Sequence, residues 1–351
     1  MKRINVVIIG YGGMGHWHGE HLIWDSKKYN LKGIYDIDEK RCQLARDEGI
    51  FVYDSLEAVL RDEDVELVTI AAYNEVHKPL AIAAMESGKN VVCEKPVTLS
   101  VKDLDEMIAV SEKTGKMFTV HQNRRWDSDF LTAKKIIENN VLGSTFRIEH
   151  RVQGSRGIPK DWRSEKEHGG GMVYDWGVHL IDQMLYMNDN NKIKSVYANL
   201  TNVTNAECDD GCYITLTFEN GLVALLEVAT NNFITLPMWY VLAENGTAVI
   251  EDWDLKGKMV MVEDWENADA VPIQAGQGLT KTMAPRNDDS IKEFELPIEK
   301  GDWGGFYDNV YDVLVNGKEQ IVTHRQIRRV LSVIEAVFES AKNNEVVKVD
   351  L

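Results

Sequence analysis

The chain has 351 residues, of which 44% are apolar and 27% are charged, and its formal net charge is −17. This length allows a large hydrophobic core and divides most simply into two domains. The negative charge argues against nucleic acid as a ligand, because phosphate backbones attract lysine and arginine.

The sequence lacks the features of a targeted or membrane-spanning chain. The apolar tract at residues 4–9 is too short for a signal peptide, contains Asn5 and lacks a small-residue cleavage site. No apolar run approaches the length of a membrane span. The four cysteines, which are too few for a disulfide framework here, are Cys42, Cys93, Cys208 and Cys212. We therefore expect a soluble cytoplasmic protein with reduced thiols.

A glycine-rich turn follows the first predicted strand, residues 4–9, and precedes a segment that can be helical. The pattern GxGxxG is weak alone, but strand, glycines and helix in succession are typical of a dinucleotide site. Gly10 would make the tight turn, Gly12 would let the backbone approach a pyrophosphate, and Gly15 would let helix and strand pack closely. The helix N-terminus would face the negative charge. The expected cofactor contacts here are Gly10, Gly12, Gly13, Met14 and Gly15.

The next predicted strand, residues 31–35, ends at Asp36, roughly 20 residues beyond Gly15, where an acid meets the adenosine ribose in such folds. A carboxylate at this place would accept hydrogen bonds from the ribose hydroxyls and repel a 2′-phosphate. Asp36 therefore favours NAD over NADP. The alternative is a turn residue, since Asp38 and Glu39 are close by and could be ordinary caps.

Strands and helices alternate through the first third of the chain. Helices are predicted at 39–48, from Asp54 onwards, at 77–87 and at 101–113, with strands at 51–53, 65–72, 91–93 and 117–120. Such alternation predicts a parallel sheet with helices on both faces, and its ligands bind beyond the carboxyl ends of the strands. The loops placed there are 73–74, 94–96 and 122–125.

One of these loops holds Glu94, Lys95 and Pro96. Proline restricts the residue before it to extended geometry, so the direction of the Lys95 side chain would be restricted. The commoner alternative is a surface ion pair.

The second half predicts an α+β domain built on a mostly antiparallel sheet. Strands are predicted at 146–153, 196–200, 213–218, 222–229, 239–242, 248–250, 259–262 and 346–349, and helices at 130–139, 306–315 and 326–343. Asn220-Gly221 is a strong hairpin signal. A charged, glycine-rich loop through Trp162 and His168 leads into a further helix after Gly169.

That further helix carries polar residues at helical spacing. Asp175, His179 and Asp182 are separated by four and three positions, which places a carboxylate beside an imidazole. A histidine with an acidic neighbour can take up a proton near neutral pH. The alternative is a solvated helix face.

Two groups of residues resemble metal ligands without forming a complete set. His16, His18 and His21 lie beside the glycine turn, and Cys208 and Cys212 lack a second pair of ligands. We predict no metal site.

The chain resembles the Gfo/Idh/MocA family of oxidoreductases over nearly its whole length. The motifs are residues 10–15 with His18, residues 94–96, and Gly170-Gly171 followed by Asp175 and His179. The resemblance implies an NAD-binding Rossmann domain, placed at 1–122, and an open-faced sheet domain for substrate and oligomerisation, placed at 123–351. The last helix would pack back on the first domain.

The resemblance also implies roles for individual residues. Lys95 and His179 would flank the reacting carbon, with Asp175 assisting. Further candidates for cofactor contact are Asn74, His77, Glu94, Asn123, Arg125 and Trp162. Family members often have Thr-Pro-Asn where this chain has Ala72-Tyr73-Asn74.

The function implied is an NAD-dependent oxidoreductase that moves a hydride between the nicotinamide and a ring secondary alcohol of a sugar, an inositol or a glycoside, in the last case at C3. His179 would take the hydroxyl proton, Lys95 would stabilise the oxygen and Asp175 would orient His179. Two roles are open for the flat apolar rings of Trp126, Trp162 and Trp176, namely packing against the faces of a sugar or packing in the hydrophobic core. The alternatives are a redox-neutral NAD-dependent glycoside-processing enzyme and a non-catalytic NAD-sensing regulator. The expected partners are a carbohydrate or polyol and further copies of the chain in a homo-oligomer, without nucleic acid or membrane.

Overall fold

The first third of the chain forms a five-stranded parallel sheet in the order β2-β1-β3-β4-β5 in a computed structural model that describes residues 2–23, 26–266 and 271–351. The strands are β1 (Ile4–Ile9), β2 (Tyr29–Tyr35), β3 (Leu67–Ile70), β4 (Asn90–Cys93) and β5 (Phe118–Val120). The helices are α1 (Gly13–Trp17), α2 (Glu39–Asp47), α3 (Leu56–Arg61), α4 (His77–Glu86) and α5 (Val101–Thr114). The predicted parallel sheet is confirmed.

The local sequence explains these elements. Val6, Val7 and Ile8 of β1 are fully buried, as expected for a central parallel strand covered on both faces. Helix α5 begins where the Ser100 hydroxyl accepts a hydrogen bond from the backbone N–H of Asp103, and it ends at Gly115, whose φ is +65°.

The predicted strand at 51–53 is reduced to a single bridge between Val52 and Ile34. Here Ile34 N donates to the Phe51 backbone oxygen and Tyr53 N donates to the Ile34 backbone oxygen, so the pairing involves Ile34 alone. The following helix is capped by Ser55, whose hydroxyl accepts from Ala58 N, and not by Asp54 as predicted.

The second sheet has nine strands in the order β15-β12-β11-β10-β6-β9-β8-β7-β16. They are β6 (Thr145–Gln153), β7 (Ile193–Thr201), β8 (Gly211–Phe218), β9 (Val223–Ala229), β10 (Trp239–Ala243), β11 (Gly246–Ile250), β12 (Gly257–Val262), β15 (Ile291–Phe294) and β16 (Val347–Lys348). Only β6 and β9 pair in parallel among these described strands, so the prediction of a mostly antiparallel sheet is confirmed. A separate hairpin, β13 (Ile273–Ala275) and β14 (Gly278–Thr280), and strand β15 were not predicted.

Helices cover one face of this sheet. The remaining helices are α6 (Ser128–Glu138), α7 (Val178–Met187), α8 (Gly305–Asn316) and α9 (His324–Asn343). Ile214 and Leu216 of β8 are buried on the covered face, whereas Tyr213 is exposed on the other. Self-association through this second face stays a prediction. Within the part of the chain that the structure describes, no helix is long and apolar enough to cross a membrane.

The last two helices contact the parallel sheet, and α9 contacts the second sheet as well. Helix α9 lies against α5 and β5 as well as against α7 and β7. The Tyr29 hydroxyl donates to the backbone oxygen of Tyr307 in α8 at 2.5 Å, and the Tyr307 hydroxyl lies 3.0 Å from that of Thr69. The domain boundary at 122/123 stays a prediction.

A buried ion pair joins the turn after β5 to α7. Arg125 donates to both carboxylate oxygens of Asp182, at 2.8 and 2.6 Å, and to the Gln326 side chain in α9 at 2.9 Å. Both charged side chains are only 2% exposed. The pair therefore ties three separate parts of the chain together.

We predict that Arg125→Ala lowers the free energy of unfolding by about 3–5 kcal/mol, because it leaves the Asp182 carboxylate buried without its cation. Urea denaturation measures this change. The matched control is Arg46→Ala, which breaks only an exposed pair with Glu39 and should change little. Equal losses in the two variants would contradict a structural role for the Arg125 pair.

Candidate active site

A cleft of about 680 Å³ opens beyond the carboxyl ends of β1 to β4. Most of the predicted cofactor residues line it, namely Gly10, Gly12, Gly13, Met14, Asp36, Asn74, Glu94, Lys95 and Trp162. Four predicted residues are not among its lining residues, namely Gly15, His77, Asn123 and Arg125. That these lining residues contact a cofactor stays a prediction.

The glycine turn has the geometry that a pyrophosphate requires. Gly10 has a φ of +87°, and a Cβ atom on it would lie 2.7 Å from the Ala71 carbonyl. A Cβ atom on Gly15 would lie 1.8 Å from the Gly10 oxygen, so Gly15 serves packing beneath the turn. Apart from its chain neighbours, none of the described residues has an atom within 4 Å of the Cβ position of Gly13, where a phosphate can approach the backbone.

Asp36 lies at the far end of the same cleft, after β2. Its carboxylate accepts from Tyr11 N at 2.6 Å and from Asp38 N at 2.8 Å, so it both lines the cleft and holds the turn. The Arg41 guanidinium is 3.5 Å from this carboxylate and also lines the cleft. Ribose specificity would therefore depend on both side chains.

A loop from the second domain covers the cleft. Trp162 and Arg163 line it, with the guanidinium carbon 4.6 Å from the centroid of the indole. Asn74 donates to the backbone oxygen of His168 at 2.7 Å, and the Tyr73 ring stacks on the His168 ring. Tyr73, the departure from the family pattern, thus holds the covering loop.

His77 and Arg125 do not take the cofactor contacts predicted for them. His77 is buried between the backbone oxygens of Ala72 and Pro96, each 3.0 Å from a ring nitrogen. The Arg125 guanidinium is occupied by Asp182. Both side chains are buried and do not face the cleft. They stabilise the loops that form it.

Lys95 and Asp175 join the two domains at one end of the cleft. The Lys95 Nζ atom donates to the Asp175 backbone oxygen at 2.8 Å and to its carboxylate at 3.1 Å. The other carboxylate oxygen accepts from Arg163 Nε at 2.9 Å. Burial alone would raise the pKa of Asp175, but the charges of Lys95 and Arg163 lower it, so the carboxylate is ionised.

His179 follows in α7 and is neutral at physiological pH. Burial, together with the positive charges of Lys95 and Arg124, lowers its pKa well below the usual value. Its Nδ1 atom has no hydrogen-bond partner among the described residues. The predicted contact between Asp175 and His179 is wrong, because the Asp175 oxygens accept from Lys95 and Arg163 instead.

A π-helical turn, Val173–Gly177, precedes α7 where a regular helix was predicted. Asp209 holds its start, since its backbone oxygen accepts from Met172 N at 2.9 Å and its carboxylate from Val173 N at 2.8 Å. A Cβ atom on Gly171, whose φ is +110°, would lie 2.1 Å from that carboxylate. Such turns are frequent at functional sites. The segment 208–212, first weighed as a zinc motif, thus positions the turn, and its two thiols are free and buried.

A buried hydrogen-bond network lies behind Lys95. One Glu94 oxygen accepts from His18 Nε2 at 2.8 Å and from His121 Nδ1 at 2.7 Å, and the other accepts from Lys95 N at 3.0 Å. The second nitrogen of His18 is 3.0 Å from the Tyr307 hydroxyl. Burial would raise the pKa of Glu94, but the two imidazoles lower it well below its usual range. Glu94 thus lines the cleft, but its carboxylate already accepts hydrogen bonds from His18, His121 and Lys95.

The three histidines after the glycine turn do not converge. His16 bonds Glu48 at 2.7 Å, and His21 stacks on Trp17. The ligand atoms of His18, Glu94 and His121 do lie within 4.8 Å of one another, but both imidazoles already bond the carboxylate. We therefore interpret this cluster as a hydrogen-bond network.

Sequence reasoning missed His121, Tyr307, Arg124 and Arg163. Arg163 follows Trp162 directly, and Arg124 lies in a loop that the strand-end rule had selected, so both had a signal. His121 and Tyr307 contribute through contacts distant along the chain, for which the sequence holds no local sign.

We predict that Glu94→Gln lowers the free energy of unfolding by about 1–3 kcal/mol, because an amide N–H would face the N–H of Lys95. Urea denaturation measures the loss. Glu48→Gln is the matched control, since its partners are the His16 ring and the Tyr11 hydroxyl, which can exchange donor and acceptor roles. A larger loss in the control would contradict this account of the network.

Comparison with known proteins identifies the family. Residues 4–122 match the family described as "Oxidoreductase family, NAD-binding Rossmann fold", and residues 130–249 match "GFO/IDH/MocA C-terminal domain". A solved structure described as an NAD-binding protein from Listeria innocua is 46% identical, with a TM-score of 0.96 over 99% of this chain and 100% of that one.

Two curated relatives support the same assignment. An uncharacterized oxidoreductase of Schizosaccharomyces pombe, C115.03, is 39% identical over 158 residues, which is 43% of either chain. The scyllo-inositol 2-dehydrogenase (NADP(+)) IolW of Bacillus subtilis is 26% identical over 100% of this chain and 97% of that protein. The chain belongs to the Gfo/Idh/MocA family of NAD-binding oxidoreductases.

Proposed function

We propose that this protein is an NAD-dependent dehydrogenase that moves a hydride between a ring secondary alcohol of a sugar, glycoside or inositol and the nicotinamide. The observation that carries the proposal is the bond between Lys95, from the nucleotide-binding domain, and Asp175, at the start of the helical segment that holds His179. The charge of Lys95 also helps to lower the pKa of His179, which supports a neutral imidazole near this ammonium group.

The residues present fit NAD. The backbone at Gly13 is open, as a pyrophosphate requires, whereas the Arg41 guanidinium lies 3.2 Å from the Cβ position of Gly12. Asp36 lines the same cleft, where its carboxylate would accept hydrogen bonds from a ribose. When bound, NAD supplies the hydride acceptor. The protein supplies orientation and charge.

Three side chains take part in the reaction of the alcohol. Neutral His179 takes the hydroxyl proton as the carbon gives up its hydride, and a carbonyl forms. Lys95 donates a hydrogen bond to the same oxygen and stabilises the negative charge that develops there. Asp175 holds the Lys95 ammonium in place, which differs from the role of orienting His179 that the sequence predicted.

Two observations support a polyol substrate. The Trp176 ring lies edge-on to the His179 ring, with centroids 6.0 Å apart, and an indole face suits the C–H face of a sugar. One relative is named a scyllo-inositol 2-dehydrogenase. That name also carries NADP(+), and Arg41 beside Asp36 is a cation that a 2′-phosphate would favour. We propose NAD as the preferred cofactor because the Asp36 carboxylate, which accepts from Tyr11 N within the turn, would repel a 2′-phosphate.

We predict that the protein forms NADH with some members of a panel of inositols, free sugars and glycosides. The absorbance of the reduced cofactor measures this reaction, with NAD and NADP supplied in separate assays. His179→Ala and Lys95→Ala should each lower turnover by roughly 10²-fold or more while NAD still binds, because each removes a group that acts on the reacting oxygen. His324→Ala, a histidine that bonds the backbone of Phe118, is the control and should keep its turnover.

Near-normal turnover in both active-site variants would contradict the proposal. Substrate consumption without net NADH would instead indicate the redox-neutral reaction, and a bound partner protein without turnover of any panel member would indicate a regulator.

A further inference from the structure

A second cleft of about 650 Å³ lies beside the reaction centre and plays no part in the mechanism above. It is lined by Arg124, Asp127, Ser128, Asp129, Trp253 and residues 300–304. Three distant parts of the chain build it, namely the turn after β5, the loop between β11 and β12, and the loop before α8.

Two tryptophans of this cleft present large areas to solvent. Trp253 is 55% exposed and Trp303 is 68% exposed. A single exposed apolar residue needs no explanation, but two indoles lining one concave surface indicate a binding site. Trp303 is in turn supported by Trp17, with ring centroids 6.5 Å apart.

The second cleft adjoins Trp176, whose ring contacts His179. Arg124, which lines it, lies 4.1 Å from the centroid of the Trp176 ring and 5.8 Å from that of Trp253. Trp176 itself contacts both Trp253 and His179, with ring centroids 6.1 and 6.0 Å apart. A molecule held at His179 could therefore extend past Trp176 into this cleft.

The charges of the cleft nearly balance, since Arg124 and Lys300 are basic and Asp127, Asp129 and Asp302 are acidic. Arg124 bonds the carboxylate of Asp127 at 2.7 Å, and Asp129 accepts from the Trp239 indole at 2.9 Å. Burial raises the pKa of Asp127 to about 6 even beside Arg124. Paired charges give an anionic group no net attraction, but they offer hydrogen bonds to neutral hydroxyls, and indole faces suit C–H surfaces. This combination fits a neutral sugar ring.

We propose that the second cleft binds a further neutral sugar ring, so that the substrate is a glycoside of at least two rings rather than a free monosaccharide. The proposal rests on the dehydrogenase function proposed above and names the substrate class of that same site. The ring that is oxidised lies at His179, and its neighbour lies between Trp253 and Trp303.

The test compares kcat/KM for glucose with cellobiose, and for galactose with lactose, in the NAD-loaded protein. We expect the wild type to prefer the disaccharides, and Trp253→Ala and Trp303→Ala each to reduce that preference about tenfold, the usual effect of truncating a binding tryptophan. The matched control is Trp265→Ala, which removes an indole that is 54% exposed and stacks on Arg286 outside the cleft. Its preference should stay that of the wild type.

A second measurement separates failure of this proposal from failure of the dehydrogenase function. Cellobiose should quench the tryptophan fluorescence of the NAD-loaded wild type. In Trp303→Ala most of this quenching should be absent. Oxidation of monosaccharides with no quenching, or with equal preferences in all variants, would overturn the subsite and leave the dehydrogenase intact. Quenching without any oxidation would support the subsite and contradict the proposed function.

Discussion

The bond between the Lys95 ammonium and Asp175 is the interaction on which the site depends. Lys95 follows the carboxyl end of β4 and Asp175 lies in the π-helical turn of the second domain, so this contact fixes one domain against the other at the cleft. Each partner is held by a further buried carboxylate, Glu94 on one side and Asp209 on the other. Glu94 and its two histidines fix the backbone of Lys95, and Asp209 fixes the start of the turn. The precision of the site therefore comes from buried supports on both sides.

The same bond explains the protonation states in the site. The Asp175 carboxylate stays ionised between two cations, and the positive charge of Lys95 adds to the effect of burial in keeping His179 neutral. A neutral imidazole beside an ammonium group is a base ready to accept a proton together with a donor for the developing oxyanion. An aspartate bonded to His179 would have opposed this arrangement, because its charge would raise the histidine pKa.

The predictable parts of the site are those that a short local sequence pattern specifies. The glycine turn, the strand ends and the lysine before Pro96 follow from short patterns. The structure places most of the turn, residues 73–74 and Lys95 on one cleft, whereas the loop 122–125 does not line it. The partner of Asp175 was not predictable, because helical spacing shows which residues are neighbours on a helix and not which cation approaches from another domain. Arg125 was misjudged for the same reason, since its partner Asp182 lies on a different element. The bridge at Val52 and the π-helical turn depend on tertiary hydrogen bonds that a periodic pattern does not contain.

The central claim is that Lys95 and His179 lie close enough to act on one oxygen atom. Its most direct test is the pKa of His179, measured by NMR on isotope-labelled histidine in the wild type and in Lys95→Met. Because the lysine charge disfavours the imidazolium, the account predicts a pKa below the usual histidine value of about 6.5 in the wild type and a higher one in the variant. An identical His179 pKa in the two proteins would contradict it.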